Sequence, residues 1–341
     1  MAEVILEAKN LQTYLYLASG VVKAVDGVSF DLKRGKTLGV VGESGSGKSM
    51  TASSILRLLP KNTGKIVGGE IHFEGRDILG FNQAQLLDYR GKDVVLISQD
   101  PMTSLDPVFK VGYQMVEMLR THSSMTAAEA RALSIESLKK VGIPNPESRM
   151  ESYPYELSGG MCQRVIIAMA ISAKPKLVIA DEPTTALDVT VQAQVLDLLK
   201  EMQKKSETAI LLITHNLGIV WDMCDEVMVM YAGKTVEHCS AKTLYSAARH
   251  PYTWGLLDSM PKLSQASKSE LVTIPGAPPD LRLTGGCCNF YKRCPYALPI
   301  CSEVVPELME VGENHFVACH RQTKTETLKR KEAASHGRTD S

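Results

Sequence analysis

The stretch GESGSGKS at residues 42–49 fits the pattern G-x-x-x-x-G-K-[ST], whose residue types together hold a polyphosphate. Gly42, Ser44, Gly45 and Gly47 form the loop, in which glycines let backbone N–H groups wrap around phosphate oxygens. Lys48 can neutralise the β- and γ-phosphates, and Ser49 can hold Mg2+. Farther along, KLVIADEP delivers Asp181 and Glu182 to the end of an apolar run. Asp181 suits the Mg2+ shell, often through water, while Glu182 is placed to polarise an attacking water. His215 ends AILLITH and can hydrogen-bond a γ-phosphate; Gln99 ends VVLISQ and can reach Mg2+ or the water. Alone, either residue is an ordinary strand terminus. Together they predict four strands ending in polar groups along one nucleotide crevice.

The elements that must position these groups are legible around them. TLGVV reads as a short apolar strand before the Gly-rich loop and MTASSILRLL as a helix after it. That strand–loop–helix context is what separates a phosphate loop from a plain Gly/Ser turn. LVIA, VVLI and AILLI read as further buried strands, giving an α/β fold. Between Gln99 and Asp181 the chain is mainly helical, with MTAAEARALSIESLKKVGI rich in good helix formers. There LSGG, residues 157–160, precedes a second helix and makes a second phosphate-seeking N-terminus. One chain needs only one loop around its phosphates, so Ser158 and Gly160 are expected to serve another subunit's nucleotide.

In this order and spacing, residues 1 to about 240 resemble the ATP-binding subunit of an ABC transporter. The resemblance rests on GESGSGKS, Gln99, LSGGM followed by Gln163 and Arg164, LVIADEP, Ala186-Leu187-Asp188 and His215. It implies two such ATPases sandwiching two ATPs, with Ser158 and Gly160 meeting the partner's γ-phosphate and Asp188 in the D-loop at the nucleotide. Met161 stands where the general family usually has Gln. GGM, QDPMTSLDPVFKVG after Gln99 and HPYTWGLL at 250–257 instead resemble the dipeptide/oligopeptide importer branch. That resemblance implies import of dipeptides or oligopeptides powered by ATP hydrolysis, on the cytoplasmic face of the cell membrane. Its implied partners are two integral permease subunits, a second, non-identical ATPase and an extracytoplasmic solute-binding protein. It also places a permease contact within residues 101–113. The resemblance also implies an aromatic near the first strand that stacks on adenine; Leu15 falls at its place, between the candidates Tyr14 and Tyr16.

Eight cysteines are unevenly spread, and five fall in the last quarter of the chain. Cys288, Cys294, Cys301 and Cys319 have the spacing C-x5-C-x6-C-x17-C, without the paired knuckles of zinc ribbons. Spacing alone leaves zinc, an iron–sulfur centre and no metal open. The importer branch carries G-C-x-F-x-x-R-C, a third cysteine and V-x-C, and some members hold a [4Fe-4S] cluster. Residues 288–294, Cys301 and Val317-Ala318-Cys319 fit that pattern, so the resemblance implies such a cluster, with zinc as the alternative. Cys287 replaces the usual glycine.

The expected organisation is an ABC-type P-loop ATPase domain over 1–245 with a helical subdomain at about 112–172. A small irregular Cys-rich extension over 246–321 and a disordered polar tail over 322–341 complete it. HPYTWGLLDSMPKL is expected to form a helix stopping at Pro261, followed by a polar linker. Lys+Arg and Asp+Glu both total 38, so nothing in the charge favours nucleic acid. No apolar run approaches the roughly 18 residues of a membrane span, and MAEVILEAKN lacks the shape of a signal peptide, so a cytoplasmic protein is expected. A soluble ABC-type ATPase acting on nucleic acid or ribosomes is the competing class. It usually has paired ATPase domains or long arms, whereas this sequence has one phosphate loop and no repeat. Within the importer branch, nickel and sugars stay open as cargo beside peptides.

Overall fold

A computed structural model of the chain describes residues 3–185, 187–260, 273–322 and 328. The strands in chain order are β1 (Val4–Leu17), β2 (Gly20–Lys33), β3 (Thr37–Val41), β4 (Gly64–Phe73), β5 (Arg76–Asp77) and β6 (Val94–Ile97). They continue as β7 (Leu177–Asp181), β8 (Ala209–Ile213), β9 (Glu226–Tyr231), β10 (Lys234–Ser240), β11 (Met309–Gly312) and β12 (His315–Val317). One sheet runs β2-β1-β4-β5 and is antiparallel throughout. The other runs β11-β12-β10-β9-β3-β8-β7-β6. Its β9-β3-β8-β7-β6 portion is parallel.

TLGVV, LVIAD and AILLI are buried at every position. Parallel strands covered on both faces read as unbroken apolar runs, as these do. On one face the helix Lys48–Ile55 and the antiparallel sheet close a core containing Leu11, Val25, Ile55, Ile71, Leu38 and Leu211. Thr13 and Ser54 share a buried hydrogen bond of 2.7 Å inside this layer.

On the other face lie the helices Val111–His122, Ala127–Lys140 and Gly159–Ala173. Their Met115, Leu138 and Val165 pack into one cluster with Ile97 and Val178 of the sheet. The helix expected from MTAAEARALSIESLKKVGI starts at a capping box between Thr126 and Glu129, which satisfies its first N–H groups.

Beyond β10 the chain forms the helix Pro251–Asp258, from the HPYTWGLL segment. The polar linker expected after Pro261 and most of the tail expected at 322–341 lie outside the described residues. The cysteine-bearing stretch holds only short 3-10 turns at Tyr291–Arg293 and Pro299–Ser302. The extension is nevertheless not irregular throughout. β11 and β12 form a hairpin that joins β10, with Glu237 opposite Val317, and lengthen the main sheet. Strands of four and three residues are too short to show a readable period in the sequence.

Glu237 ties this addition down. Its carboxylate is fully buried and accepts from the N–H groups of Arg249 (2.7 Å) and His250 (3.0 Å) and lies 2.7 Å from Nε2 of His315. His250 is buried beside it, and its Nδ1 accepts from Tyr252 N at 3.0 Å, capping the helix as a neutral ring. Burial pulls the His250 pKa from 6.5 down to about 4, against the attraction of Glu237. A group depressed in the folded state contributes stability present above its unfolded pKa and lost as the pH falls toward its folded one. Between pH 6.5 and 4 the wild-type chain should therefore lose up to about 3 kcal/mol more unfolding free energy than His250→Asn, which keeps a capping oxygen but cannot protonate. Denaturant titrations of both chains across that range check this; equal slopes contradict it.

Candidate nucleotide site and terminal thiol group

Because β3, β8, β7 and β6 are parallel, their C-terminal ends share one edge of the sheet, where open α/β folds bind ligands. GESGSGKS leaves β3 there and enters the helix at Lys48. Two of its glycines are demanded by close approach. A Cβ on Gly42 would lie 2.2 Å from the carbonyl oxygen of Met230, and one on Gly47, at φ 107°, would lie 2.3 Å from that of Ala24. Gly45, at φ 77°, has open space around it and needs glycine for its backbone alone. Lys48 is buried, and its Nζ donates to the carbonyls of Gly42 (2.8 Å) and Glu43 (2.9 Å) across the loop. Burial lowers its pKa, opposed by the carboxylates of Glu182, Asp181 and Glu43.

Asp181 ends β7 and is buried beside Ser49. Burial raises its pKa, the Ser49 hydroxyl opposes that by hydrogen bonding, and neighbouring Glu182 adds to the rise. Its Oδ1 has no hydrogen-bond partner. A buried carboxylate oxygen left open next to a hydroxyl is a donor set that fits Mg2+.

Three side chains converge on Glu182. Gln99 Nε2 and Thr185 Oγ1 each donate to Oε2 at 3.1 Å, and His215 Nδ1 lies 3.0 Å from Oε1. The Glu182 side chain is 13% exposed and that of His215 63%, so the carboxylate sits in the crevice with the imidazole at its mouth. Glu182 also adopts a left-handed backbone, φ 48°, which costs a non-glycine residue about 1–3 kcal/mol and aims its side chain. The structure thus brings together Gln99, Asp181, Glu182, His215, Lys48 and Ser49.

Gln163 is a positioning residue that sequence reasoning named only as part of a motif. It is buried on the helix Gly159–Ala173, and its Nε2 donates to the carbonyls of Ser98 (3.3 Å) and Pro183 (3.0 Å). Those residues flank Gln99 and Glu182, so one amide pins both strand ends. Thr185 was likewise not singled out; only its neighbourhood to Glu182 in sequence hinted at it.

Other residues stand apart from this group. Ser158 is exposed and caps its own helix, accepting from Met161 N at 3.3 Å; Gly160 lies in that first turn. Asp188 caps the helix Val189–Ser206 through Val191 N, and Ala186 lies outside the described residues. No hydrogen bond among the described residues joins Ser158, Gly160 or Asp188 to the phosphate loop. Tyr14 donates its hydroxyl to Asp26 Oδ1 at 2.9 Å; burial, and then this bond, push its pKa up to about 12. Lys23 lies over the Tyr14 ring, and Lys65 over the exposed ring of Tyr16. After Gln99, the exposed Met102, Val108, Phe109 and Tyr113 form an apolar rim, with the last two rings stacked at 5.0 Å.

Of the terminal cysteines, Cys301 is buried and Cys288, Cys294 and Cys319 are half-buried; all are free thiols. Burial first, and then charge on Cys301, Cys319 and Cys294, pushes the Cys288 thiol up to about 12. Burial and the thiols of Cys319 and Cys301 push Cys294 up to about 11, and Cys319 is raised by burial and Cys301. Cys287 instead lines a cavity of about 300 Å³ with Pro278, Leu283 and Tyr291. Among the described residues, ligand atoms within 4.8 Å of one another occur at Glu237, Cys239 and His315, and not at the four thiols.

Comparison with known proteins decides the family. A model described as ABC transporter matches residues 25–185, and one described as oligopeptide/dipeptide transporter, C-terminal region, matches 236–301. A probable peptide ABC transporter ATP-binding protein of Sinorhizobium fredii is 46% identical over 96% of this chain and 98% of that protein. The chain belongs to this family of ABC transporter ATP-binding subunits. The oligopeptide transport ATP-binding protein OppD of Salmonella typhimurium is 49% identical over 94% of each chain. Among solved structures, cbiO1 from Clostridium perfringens, part of an ABC transporter complex, has a TM-score of 0.58 at 28% identity, covering 72% of this chain and 92% of that one. A dimeric ATP-binding cassette bound to ADP and Pi shares the fold with a TM-score of 0.63 at 23% identity, over 69% of this chain and 98% of that one. This ABC ATPase thus has the mixed α/β fold expected of it. No helix among the described residues is long and apolar enough to cross a membrane.

Gly47→Ala places a methyl group against a backbone carbonyl that cannot swing aside. It should abolish measurable Mg–ATP binding and lower stability by at least about 1–3 kcal/mol. Isothermal titration and thermal melting check both, and a variant that binds normally contradicts the close-packed loop.

Proposed function

We propose that the chain is the ATP-hydrolysing subunit of a membrane importer for dipeptides or oligopeptides, and that Glu182 activates the water. The observation that carries this reading is the convergence of Gln99, Thr185 and His215 on the Glu182 carboxylate, beside Asp181 and Ser49. Phosphoryl transfer asks for placement and charge stabilisation more than covalent chemistry, and these residues supply both. Gly42, Ser44, Gly45 and Gly47 cradle the phosphates and Lys48 draws off their charge. Ser49 and Asp181, with Gln99, would hold Mg2+, which would supply neutralisation of the phosphate charge. Glu182 takes up the proton of the attacking water while Gln99 and His215 fix its direction. Tyr14 and Tyr16 are the candidates at the adenine.

Ser158, Gly160 and Asp188 complete the nucleotide site of a second ATPase, a non-identical paralogue; the exposure of the Ser158 helix end supports this. In this reading two permease subunits dock on residues 101–113, and the protein works on the cytoplasmic face of the membrane; the exposed Met102, Val108, Phe109 and Tyr113 support this. A solute-binding protein delivers cargo outside. The peptide cargo rests on the relatives, which include oligopeptide and dipeptide transport proteins by name. In this reading the ATPase domain runs over 1–245, with its helical subdomain at about 112–172, and the extension over 246–321.

Cys288, Cys294, Cys301 and Cys319 form the shell of a [4Fe-4S] cluster in this reading. One buried and three half-buried free thiols in a segment that holds only short 3-10 turns support it. Tetrahedral zinc with bonds of about 2.3 Å needs sulfurs roughly 3.8 Å apart, a tighter group than these thiols make. When bound, the cluster would supply cross-linking of a segment poor in secondary structure.

Two measurements test the proposal. Glu182→Gln should bind Mg–ATP as the wild type does while hydrolysis falls at least about a hundredfold; normal turnover removes Glu182 from the mechanism. Anaerobically purified protein should carry four irons and four acid-labile sulfides per chain, with broad absorption near roughly 400 nm. Stoichiometric zinc, or no metal in a chain that hydrolyses ATP, rejects the cluster.

A further inference from the structure

Arg293 immediately precedes Cys294, yet its side chain leaves the cysteine turn and reaches the phosphate loop. The guanidinium is 6% exposed and forms a bidentate pair with Glu43, Nη1 to Oε2 at 2.6 Å and Nη2 to Oε1 at 3.0 Å. Its remaining donors are taken by Tyr231 Oη (3.2 Å) and by the carbonyls of Pro275 (2.8 Å) and Ile274 (3.2 Å). The fork is therefore fixed at both ends.

Glu43 is the second residue of GESGSGKS and is held through its backbone as well as its carboxylate. Its N–H donates to Tyr252 Oη at 2.8 Å, from the helix Pro251–Asp258. Its carbonyl accepts from Lys48 Nζ at 2.9 Å. Arg293, Glu43 and Lys48 thus form one continuous polar chain. At its far end, Arg293 N donates to Phe290 O at 3.0 Å, within the turn that carries Cys288 and Cys294. Phe290 is buried against the rings of Tyr231 and Tyr252, at 5.2 and 5.4 Å. The turn cannot rearrange without moving either this aromatic contact or the guanidinium.

We infer that Arg293 is a positioning residue for the nucleotide: through Glu43 it makes the shape of the phosphate loop depend on the state of the Cys288–Cys294 turn. The inference rests on the reading that GESGSGKS binds ATP. It concerns affinity, since neither Arg293 nor Glu43 reaches Glu182 or its partners. The Arg293 guanidinium is buried, so removing Glu43 leaves its charge uncompensated, while removing Arg293 frees the part-exposed Glu43 carboxylate to turn to water and shift the loop that carries it.

The test is the Kd for Mg–ATP of the full chain at a temperature well below every variant's melting point. Arg293→Gln and Glu43→Gln should each weaken binding by about tenfold, within the usual range of coupling between sites. The double variant should be no weaker than either single one, because both remove the same link. Cys294→Ser should weaken binding in the wild-type background and have no further effect beside Arg293→Gln. Glu43→Gln leaves the cysteine turn untouched, so it answers the question even if the other variants fold poorly. Unchanged affinity with only a lower melting temperature, additive losses in the double variant, or an equal Cys294→Ser effect in both backgrounds overturns the inference. A wild-type chain that does not bind Mg–ATP overturns the nucleotide reading instead.

Discussion

Everything at the nucleotide site depends on the parallel pairing of β3, β8, β7 and β6. Side-by-side parallel strands in register place their chain reversals at one height, so each strand needs only one polar residue just past its end. Val40 lies beside Ile213, Ala180 beside Leu212 and Ile97 beside Ala180. The next positions supply the Gly-rich loop, Thr214 and His215, Asp181 and Glu182, and Ser98 and Gln99. No long-range search is required of the side chains; the backbone ladder has already aligned them. What remains is fine aim, and that comes from a left-handed Glu182 and from Gln163 tying two of the reversals together.

Much of this was legible in the sequence because each part is local. TLGVV, LVIAD and AILLI are apolar runs of the right length, and the loop and helix that follow TLGVV are contiguous with it. The residues that converge on Glu182 could be named because each follows its strand directly. Gln163 was harder to read, since its partners Ser98 and Pro183 lie 65 and 20 residues away. No pattern along the chain announces such a contact. The adenine end shows the same limit from the other side: Tyr14 and Tyr16 look alike in sequence, while in the fold the hydroxyl of Tyr14 is engaged by Asp26.

The extension beyond β10 is the least legible part, for physical reasons. Past the helix Pro251–Asp258 its elements are three or four residues long, and its stability comes from partners far away in the chain. Glu237 meets His315 78 residues later, and Glu43 meets Arg293 250 residues later. A cysteine cluster can be seen in a sequence, but the arginine beside it gives no hint that it faces a phosphate loop. The extension is thus integrated twice, once into the sheet through β12 and once into the Gly-rich loop.

The joining of β12 to β10 bears on synthesis. Translation delivers the parallel sheet and β10 well before residues 309–317 emerge. During that interval β10 is an edge strand whose outer backbone groups, the carbonyl of Val236 among them, are unpaired and open to pairing with another chain. The hairpin closes that edge and replaces it with β11, a four-residue strand whose outward positions include Glu310. A short edge carrying charge is a poor template for further strands. A chain ending before residues 309–317 would therefore carry an adhesive edge that the hairpin covers in the complete fold.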